Sequence, residues 1–210
     1  MVTFEELSSR SFYERLISNY ISKEIPKEPN RIWVSEVSRC LRYSYFLRVN
    51  PKSFTGSQLV KVFIGKVVHE FLEGLLKSSH DVVVEYRVEY PVGEFSVVGR
   101  ADAVDLGGEG VIVEFKVVGE VPNEPYLEHV RQAKYYAVLT GVRKVLIVYI
   151  SRDGEILPYI IPFTNLSGVR DELIGRAKEL YNSLRFGRRP KPERGTSCMY
   201  CPYRFECLTR

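Results

Sequence analysis

The chain has 210 residues, of which 45% are hydrophobic and 27% are charged, and its formal net charge at pH 7 is +4. This composition predicts one compact globular domain with room for a small accessory lobe, and no apolar run approaches the length of a membrane span. The mild positive charge permits binding to an acidic polymer but does not indicate it. Residues 1–6 lack a signal-peptide pattern, so we expect a cytoplasmic protein with no membrane contact.

The first fifty residues are predicted to hold two helices. Apolar residues recur at helical spacing over residues 3–20, residues 21–30 are predicted to be a linker, and a second helix is predicted over residues 35–48 with Ser35 as its N-cap. The second helix interleaves arginines with aromatic residues, a pattern that suits phosphate contacts and base stacking. A helix with a solvated basic face and an aromatic core face fits the same pattern equally well.

A long helix is predicted over residues 59–77, and a strand over residues 81–90 follows it. A broad apolar stripe defines the face of this helix that packs on the core, and His69 lies beside the stripe. Taken alone, such a histidine is more often packed in a core than bound to a metal.

The next segment carries charged residues inside an apolar run. Residues 95–106 and 111–118 are predicted to be two strands of an antiparallel hairpin, joined by a glycine-rich turn. On the second strand, Glu114 and Lys116 point to the same face, and an isolated pair of this kind is usually a structural ion pair.

A symmetric fold of this hairpin about Gly108 predicts that Asp102 faces Glu114 and that Arg100 faces Lys116. Two facing carboxylates repel each other, so this register requires either a protonated carboxyl group or a cation between the two. Oxygen ligands on a hairpin suit Mg²⁺ or Mn²⁺.

The remaining elements complete an α/β pattern. A helix is predicted over residues 126–139, a second hairpin with an Asp-Gly turn over residues 144–163, and a helix over residues 167–186. Gln132 and Tyr136 share one face of the first of these helices, and as plain residues they are expected at the surface and in the core respectively. The order of elements predicts a mixed central β-sheet flanked by helices.

The four cysteines are unevenly distributed. Cys40 stands alone, whereas Cys198, Cys201 and Cys207 form a C-x₂-C-x₅-C cluster after a basic linker rich in Pro and Gly, residues 187–195. Three cysteines within ten residues indicate a metal site. Spacing alone does not separate a tetrahedral zinc site from an iron–sulfur cluster.

Several of these motifs together resemble a known family. Residues 99–102 and 114–116 resemble the core of the PD-(D/E)xK nucleases. Residues 65–70 resemble the histidine motif of the RecB-like branch, and residues 132–136 resemble its Gln-x-x-x-Tyr motif. With the cysteines included, residues 33–207 resemble the CRISPR-associated RecB-like exonucleases, an iron–sulfur family within this superfamily.

The resemblance implies a division of the chain. A restriction-endonuclease-like, RecB-type nuclease core is expected over residues 59–186, and residues 1–32 form an N-terminal helix and linker outside it. Residues 33–58, which carry Cys40, are expected to combine with residues 187–210 into a small helical iron–sulfur lobe.

The resemblance also implies a function. Proteins of this kind are metal-dependent DNA exonucleases that act on single-stranded DNA, usually 5′ to 3′, and process spacer precursors alongside CRISPR integrase proteins in antiviral defence. A structure-specific DNA endonuclease of DNA repair and a non-catalytic DNA-binding subunit are the alternatives.

The site residues follow from the matched positions. The implied ligands of Mg²⁺ or Mn²⁺ are His69, Asp102, Glu114 and the backbone carbonyl of Phe115. Lys116 is expected to act with Asp102 and Glu114 in catalysis, by placing or helping to deprotonate the attacking water and by offsetting charge on the phosphate. A second acidic residue near the site is expected at Glu70 or Asp105, although strand-face parity argues against Asp105.

Two further sets of residues complete the implied site. The ligands of the iron–sulfur cluster are Cys40, Cys198, Cys201 and Cys207. The family favours [4Fe–4S], and four thiolates serve [2Fe–2S] equally well. The expected DNA-binding residues are Gln132, Tyr136, Arg39 and Arg42.

Overall fold

A computed structural model of the chain describes residues 8–21, 28–79, 82–107, 110–163 and 166–208. The helices are α1 (Arg10–Ile21), α2 (Val34–Val37), α3 (Leu41–Val49), α4 (Gly56–Ser79), α5 (Leu127–Thr140), α6 (Val169–Phe186) and α7 (Arg204–Leu208), with a 3-10 helix at Thr196–Tyr200. The strands are β1 (Arg31–Trp33), β2 (Val83–Val92), β3 (Phe95–Asp105), β4 (Val111–Val118), β5 (Lys144–Ser151) and β6 (Ile156–Pro162). The predicted turn at Gly108 and part of the predicted N-terminal helix and linker lie outside the described residues.

The six strands form one mixed sheet in which β3 has three neighbours. β2 runs antiparallel to β3 along one edge. The other edge is shared, because β1 pairs in parallel with residues 96–98 and β4 pairs antiparallel with residues 103–105. β4 then pairs in parallel with β5, and β5 pairs antiparallel with β6. The predicted mixed sheet flanked by helices is confirmed.

Central positions in the sheet explain the composition of β4 and β5. Both strands are rich in Val and Ile, as expected for strands that are paired and covered on both sides. β4 nevertheless carries Glu114 and Lys116. The fold therefore holds two charged side chains within an apolar layer.

The predicted helix over residues 35–48 is two helices, α2 and α3. The break places Cys40 directly before α3, in a turn, instead of within a helix. The prediction of one continuous helix is therefore wrong.

Two residues from distant parts of the sequence stabilise this break. Arg176 of α6 donates hydrogen bonds to the carbonyls of Val37 and Arg39, each at 2.6 Å. Glu193 accepts the backbone N–H of Leu41 at 2.9 Å and is itself paired with Arg176 at 3.0 Å. Helix-end groups that are taken from water need such partners, so these bonds lower the cost of ending α2 and starting α3 anew.

A buried ion pair also joins α2 to α3. Arg48 lies 2.6 Å from one carboxylate oxygen of Glu36 and 2.8 Å from the other. Arg48 donates as well to the carbonyl of Arg31 at 2.6 Å. Because both carboxylate oxygens are bonded, the pair meets the condition for burying two charges.

The helices cover the sheet. α4 packs on β2, β3 and β4, and α1 packs on α4. α5 packs on β2, β4 and β5 and also contacts α6. None of the helices in the described part of the chain is both long enough and apolar enough to cross a bilayer.

Candidate active site

The β3–β4 hairpin has the predicted register in each of its three paired positions. The ladder ends at Ala103 and Val113, one residue before Asp102 and Glu114 would face each other. The side chain of Asp102 instead accepts the backbone N–H of Phe115 at 2.7 Å. The predicted direct pairing of Asp102 with Glu114 is therefore wrong, because the strands part at this point and a carboxylate takes the place of the backbone acceptor.

The hydroxyl of Tyr136 lies in the gap between β1 and β4, on the same edge of β3. It accepts the backbone N–H of Arg100 at 3.2 Å and donates to the carbonyl of the same residue at 2.9 Å. A Cβ at Gly99 would lie 2.7 Å from the Tyr136 ring, so glycine is required for this approach. These contacts fasten α5 to β3 two residues before Asp102.

Tyr136 thus belongs to the core. It is 2% exposed, and its hydroxyl is engaged by the main chain and by the side chain of Gln132. The prediction that Tyr136 contacts DNA is corrected accordingly. Gln132 is only partly buried, and its contact with DNA stays a prediction.

Glu114 is a buried carboxylate, and only one of its two oxygens has a hydrogen-bond partner among the described residues. Lys116 Nζ lies 2.8 Å from Glu114 Oε2, whereas Oε1 is buried without a hydrogen-bond partner among the described residues. Burial raises the pKa of Glu114 to about 7 against the opposing charge of Lys116. Burial on its own would lower the pKa of Lys116. The nearby carboxylates of Glu114 and Asp102 outweigh it and raise this pKa above the usual range, so the ammonium form is favoured.

Asp102 stays ionised beside His69. Burial alone would raise the pKa of Asp102, but the hydrogen bond from His69, the charge of Lys116 and the N–H of Phe115 lower it below its usual range. His69 Nδ1 lies 3.3 Å from Asp102 Oδ2, and the His69 ring meets the ring of Phe115 edge to face. The predicted proximity of His69 and Asp102 is confirmed.

Glu73 completes this group, and it was not predicted from the sequence. Three side chains, those of His69, Glu73 and Asp102, each offer one ligand atom, and these three atoms lie within 4.8 Å of one another. Burial raises the pKa of Glu73 to about 7, and the charge of Asp102 adds to this. Glu73 is four residues after His69 on α4, the spacing that puts two side chains on one face of a helix, and this spacing was the available signal.

The two residues named from the sequence as candidates for a second acidic residue, Glu70 and Asp105, have other partners. Glu70 accepts the hydroxyl of Tyr20, and Asp105 accepts the backbone N–H of Gly107 at 2.7 Å. Glu73 is the acidic residue that the structure places beside His69 and Asp102. Glu114 lies outside the compact group of three, although its charge and those of Asp102 and His69 influence one another.

This donor set suits a hard divalent cation. It offers carboxylate oxygens and one imidazole, the ligands that Mg²⁺ and Mn²⁺ accept. The leftover oxygen of Glu114 is costly to bury without a partner, and a cation beside it would remove that cost. The residues therefore fit the metal ion that the sequence predicted.

The four cysteines meet at one cavity of about 590 Å³. All four are partly buried free thiols. Burial raises the pKa of Cys201, and the proximity of Cys40, Cys198 and Cys207 raises it further. The predicted convergence of Cys40 with the C-terminal cluster is therefore present in the fold.

The spacing of the thiols bears on what they could bind. Four sulfurs around one tetrahedral zinc, each about 2.3 Å from the ion, lie about 4 Å from one another. Among the described residues, no group of three ligand atoms within 4.8 Å of one another includes a cysteine. A zinc ion and an iron–sulfur cluster both remain predictions for this cavity.

The C-terminal segment is docked on α3 by contacts that need no metal. Arg42 donates to the carbonyls of Pro190 at 2.7 Å and Cys207 at 3.1 Å. The ring of Tyr203 stacks on Phe46 with 5.5 Å between centroids. Arg42 is thereby engaged in docking, and its contact with DNA stays a prediction.

Fold and site together define a phosphodiester-cleaving nuclease: a mixed sheet presents Asp102, Glu114 and Lys116 next to a histidine on a crossing helix. Residues 14–208 match the PD-(D/E)XK nuclease superfamily. The chain belongs to this superfamily and is a hydrolase of the nuclease class.

Individual relatives agree with this assignment. The chain is 28% identical over 190 residues to the CRISPR-associated exonuclease Cas4 of Saccharolobus solfataricus, covering 86% of this chain and 89% of that protein. The crystal structure of SSO0001 shares the fold with a TM-score of 0.71 at 23% identity, covering 95% of each chain. An alkaline exonuclease from Laribacter hongkongensis has a TM-score of 0.50 at 14% identity, covering 76% of this chain and 92% of that chain.

Proposed function

We propose that the protein is a divalent-metal-dependent exonuclease that degrades single-stranded DNA from the 5′ end. The observation that carries this proposal is the buried, unpartnered oxygen of Glu114 next to the group of His69, Glu73 and Asp102. The likeness to a CRISPR-associated exonuclease supports DNA as the substrate. The 5′ to 3′ direction and the single-stranded preference come from the family resemblance.

The metal site would be formed by residues of α4, β3 and β4. His69, Glu73, Asp102 and Glu114 would hold Mg²⁺ or Mn²⁺, with the Phe115 carbonyl as a further oxygen ligand. When bound, such an ion polarises the scissile phosphate and lowers the pKa of the attacking water.

The chain's own residues supply the remaining parts of the chemistry. Lys116 is held as an ammonium by Glu114, so it is suited to offset negative charge on the phosphate and less suited to accept a proton from water. Asp102 is anchored by the backbone N–H of Phe115. This bond fixes the carboxylate before any ligand arrives, which lowers the cost of ordering the site.

The cysteines would hold an iron–sulfur cluster. The meeting of all four thiols at one cavity supports a shared metal centre there. The family resemblance favours an iron–sulfur cluster over a single zinc ion, and nuclearity is a choice between [4Fe–4S] and [2Fe–2S]. The cluster would lie in a lobe built from residues 33–58 and 187–210, beside the nuclease core of residues 59–186. Its role would be to fasten the C-terminal segment to the turn at Cys40.

In the cell, the proposed activity would process spacer precursors during CRISPR adaptation. Its partners would then be the CRISPR integrase proteins, and its compartment the cytoplasm. The likeness to a CRISPR-associated exonuclease supports this setting.

A digest of end-labelled DNA tests the proposal. Linear single strands labelled at the 5′ or the 3′ end, and a circular single strand, are incubated with Mn²⁺, with Mg²⁺ or with EDTA. We expect early release of the 5′ label, an intact circle and no activity in EDTA. Cleavage of the circle would replace the exonuclease with an endonuclease.

Matched variants assign the activity to the site. Asp102→Asn, Glu114→Gln and Glu73→Gln should each lower the rate by more than about tenfold, because each removes a charged ligand. Glu70→Gln, one residue from His69 on the same helix, should keep the rate of the unmodified protein. Full activity of Asp102→Asn or Glu114→Gln would contradict the proposed site.

A further inference from the structure

We infer that His129 is a DNA-binding residue whose Nε2–H group donates a hydrogen bond to a phosphate oxygen of the bound strand, beside Lys116. This inference rests on the proposed function, because it takes single-stranded DNA as the ligand. It concerns a residue outside the metal site and outside the set that the sequence predicted to contact DNA.

Tyr149 fixes the orientation of the His129 ring. His129 Nδ1 lies 2.8 Å from the hydroxyl oxygen of Tyr149, and that oxygen accepts the backbone N–H of Tyr126 at 3.1 Å. Tyr149 is fully buried, and within the described residues its hydroxyl proton has no acceptor other than His129 Nδ1. The imidazole proton is therefore on Nε2.

The ring is held in its neutral form. Burial, and then the positive charges of Lys116 and Arg39, lower the pKa of His129 to about 3. A neutral imidazole with its proton on Nε2 is a hydrogen-bond donor at physiological pH and is no general acid there. The two cations that disfavour the imidazolium also favour an anion at the same place.

The His129 ring lies near the active strand, because its hydrogen-bond partner Tyr149 belongs to the neighbouring strand β5. Tyr149 pairs with Lys116 across the β4–β5 ladder, and the side chain of His129 is 18% exposed. A carboxylate already lies near this ring, since Glu128 Oε1 is 3.9 Å from Nε2. Glu128 is 44% exposed, so its side chain can move aside when another anion binds.

A phosphate oxygen is the DNA group that best matches these surroundings. Hydrogen bonds to a charged acceptor are stronger than those to a neutral one, and Lys116 and Arg39 attract the same charge. A nucleobase carries no net charge, so the two cations favour it less than they favour a phosphate. Arg39 itself is held by a bond to the Ser35 carbonyl at 2.9 Å, which keeps its charge in this region.

Two substitutions at His129 separate the proposed donor from the packing of the ring. His129→Asn places an amide near the position of Nδ1, so it can bond Tyr149 but offers no donor at Nε2. His129→Gln extends an amide N–H to the position of Nε2. Binding of a short fluorescent single strand is measured by anisotropy in EDTA, where no cleavage occurs.

We expect His129→Asn to raise the Kd about tenfold, the usual cost of losing a hydrogen bond to a charged group. His129→Gln should stay within about threefold of the unmodified protein. Single strands with one neutral methylphosphonate linkage locate the contact. At one position, the neutral linkage should weaken binding by the unmodified protein. The same linkage should not weaken binding by His129→Asn any further, because that variant already lacks the contact.

Unchanged binding by His129→Asn, or equal losses in both variants, would overturn the inference. If His129→Asn does not fold, Tyr149→Phe carries the test, because it frees the His129 tautomer and should weaken binding severalfold. Tyr159→Phe is its matched control, since the Tyr159 hydroxyl bonds the Pro122 carbonyl, at 2.6 Å, and not His129. Equal affinities of these two variants would also overturn the inference.

Failure of the proposed function gives a different result. A protein that binds DNA through His129 but cleaves none with Mn²⁺ would contradict the proposed nuclease activity alone. If the protein cleaves DNA and the His129→Asn variant binds DNA as tightly as the unmodified protein, only the present inference is contradicted.

Discussion

At the scale of single residues, the site holds more negative charge than its own cations satisfy. Glu73 and Glu114 both have a pKa raised to about 7, whereas Asp102 stays ionised. Carboxylates that are buried together favour one another's protonation. A divalent cation removes this repulsion, so binding of the metal should stabilise the fold.

Thermal unfolding should therefore respond to Mn²⁺. A ligand present at a hundred times its Kd stabilises the native state by about 2.7 kcal/mol. We expect a rise in Tm with Mn²⁺ that is lost in Asp102→Asn and reduced in Glu73→Gln. Glu70→Gln is the control and should keep the full rise, and a Tm of Glu73→Gln that responds like the unmodified protein would remove Glu73 from the ligand set.

His129 should make stability depend on pH. Its pKa is lowered from 6.5 to about 3 by burial and by the charges of Lys116 and Arg39, so the unfolded chain takes up a proton at a pH where the folded chain does not. The free energy of unfolding should then fall as the pH drops from about 6.5 towards 3, by at most about 1.4 kcal/mol per unit. Denaturant unfolding of the unmodified protein and His129→Gln over this range measures the difference, and parallel curves would contradict the assignment of a neutral His129.

At the scale of elements, Tyr136 supplies hydrogen bonds to β3 at a position where no neighbouring strand pairs on that edge. Its hydroxyl bonds both main-chain groups of Arg100 where neither β1 nor β4 reaches β3. The position of Asp102 thus depends on the packing of α5. A residue can govern a catalytic site in this way without touching the substrate.

Tyr136→Phe should lower both stability and activity. It leaves the N–H and the carbonyl of Arg100 without their partner, at a cost of about 1–3 kcal/mol. Tyr135→Phe is the matched control, because its hydroxyl bonds the half-exposed Glu172 at 3.0 Å and water can replace that contact. Equal unfolding free energies for the two variants would show that the contacts with Arg100 do not contribute to stability.

Features of the fold that depend on local interactions could be predicted from the sequence, and features that depend on distant residues could not. The periodicity of β3 and β4, and the register between them, are local and could be predicted. The break before α3 could not, because Arg176 and Glu193 stabilise it from more than a hundred residues away. Glu73 was missed for a different reason: its helical spacing from His69 was visible, but only the crossing of α4 over β3 shows that Asp102 is its neighbour.

At the scale of the whole molecule, hydrogen bonds and an ion pair dock the C-terminal segment beside Cys40, where the proposed cluster would add to them. Glu193 bonds the N–H of Leu41 and pairs with Arg176, and Arg42 bonds the carbonyl of Pro190. Contacts within the protein thus bring Cys40 and the three C-terminal cysteines to one cavity. Loss of a thiol ligand and loss of Glu193 should have distinct effects.

Hydrogen exchange of the Leu41 amide should separate the two effects. In Cys40→Ala the amide should remain protected, because Glu193 still accepts it, although loss of the proposed cluster should abolish absorbance near 400 nm and lower the unfolding temperature. In Glu193→Gln, protection should fall as the charge-assisted bond weakens. Rapid exchange of this amide in Cys40→Ala would show that the cluster, and not Glu193, docks the segment.

The position of the four cysteines along the chain sets the order of assembly. Cys198, Cys201 and Cys207 are translated well after Cys40. At about 5–20 residues per second, Cys40 waits roughly 8–30 seconds for them. All six strands precede Cys198 in the chain, so the proposed cluster can gain its full set of thiolates only after the whole sheet has been made.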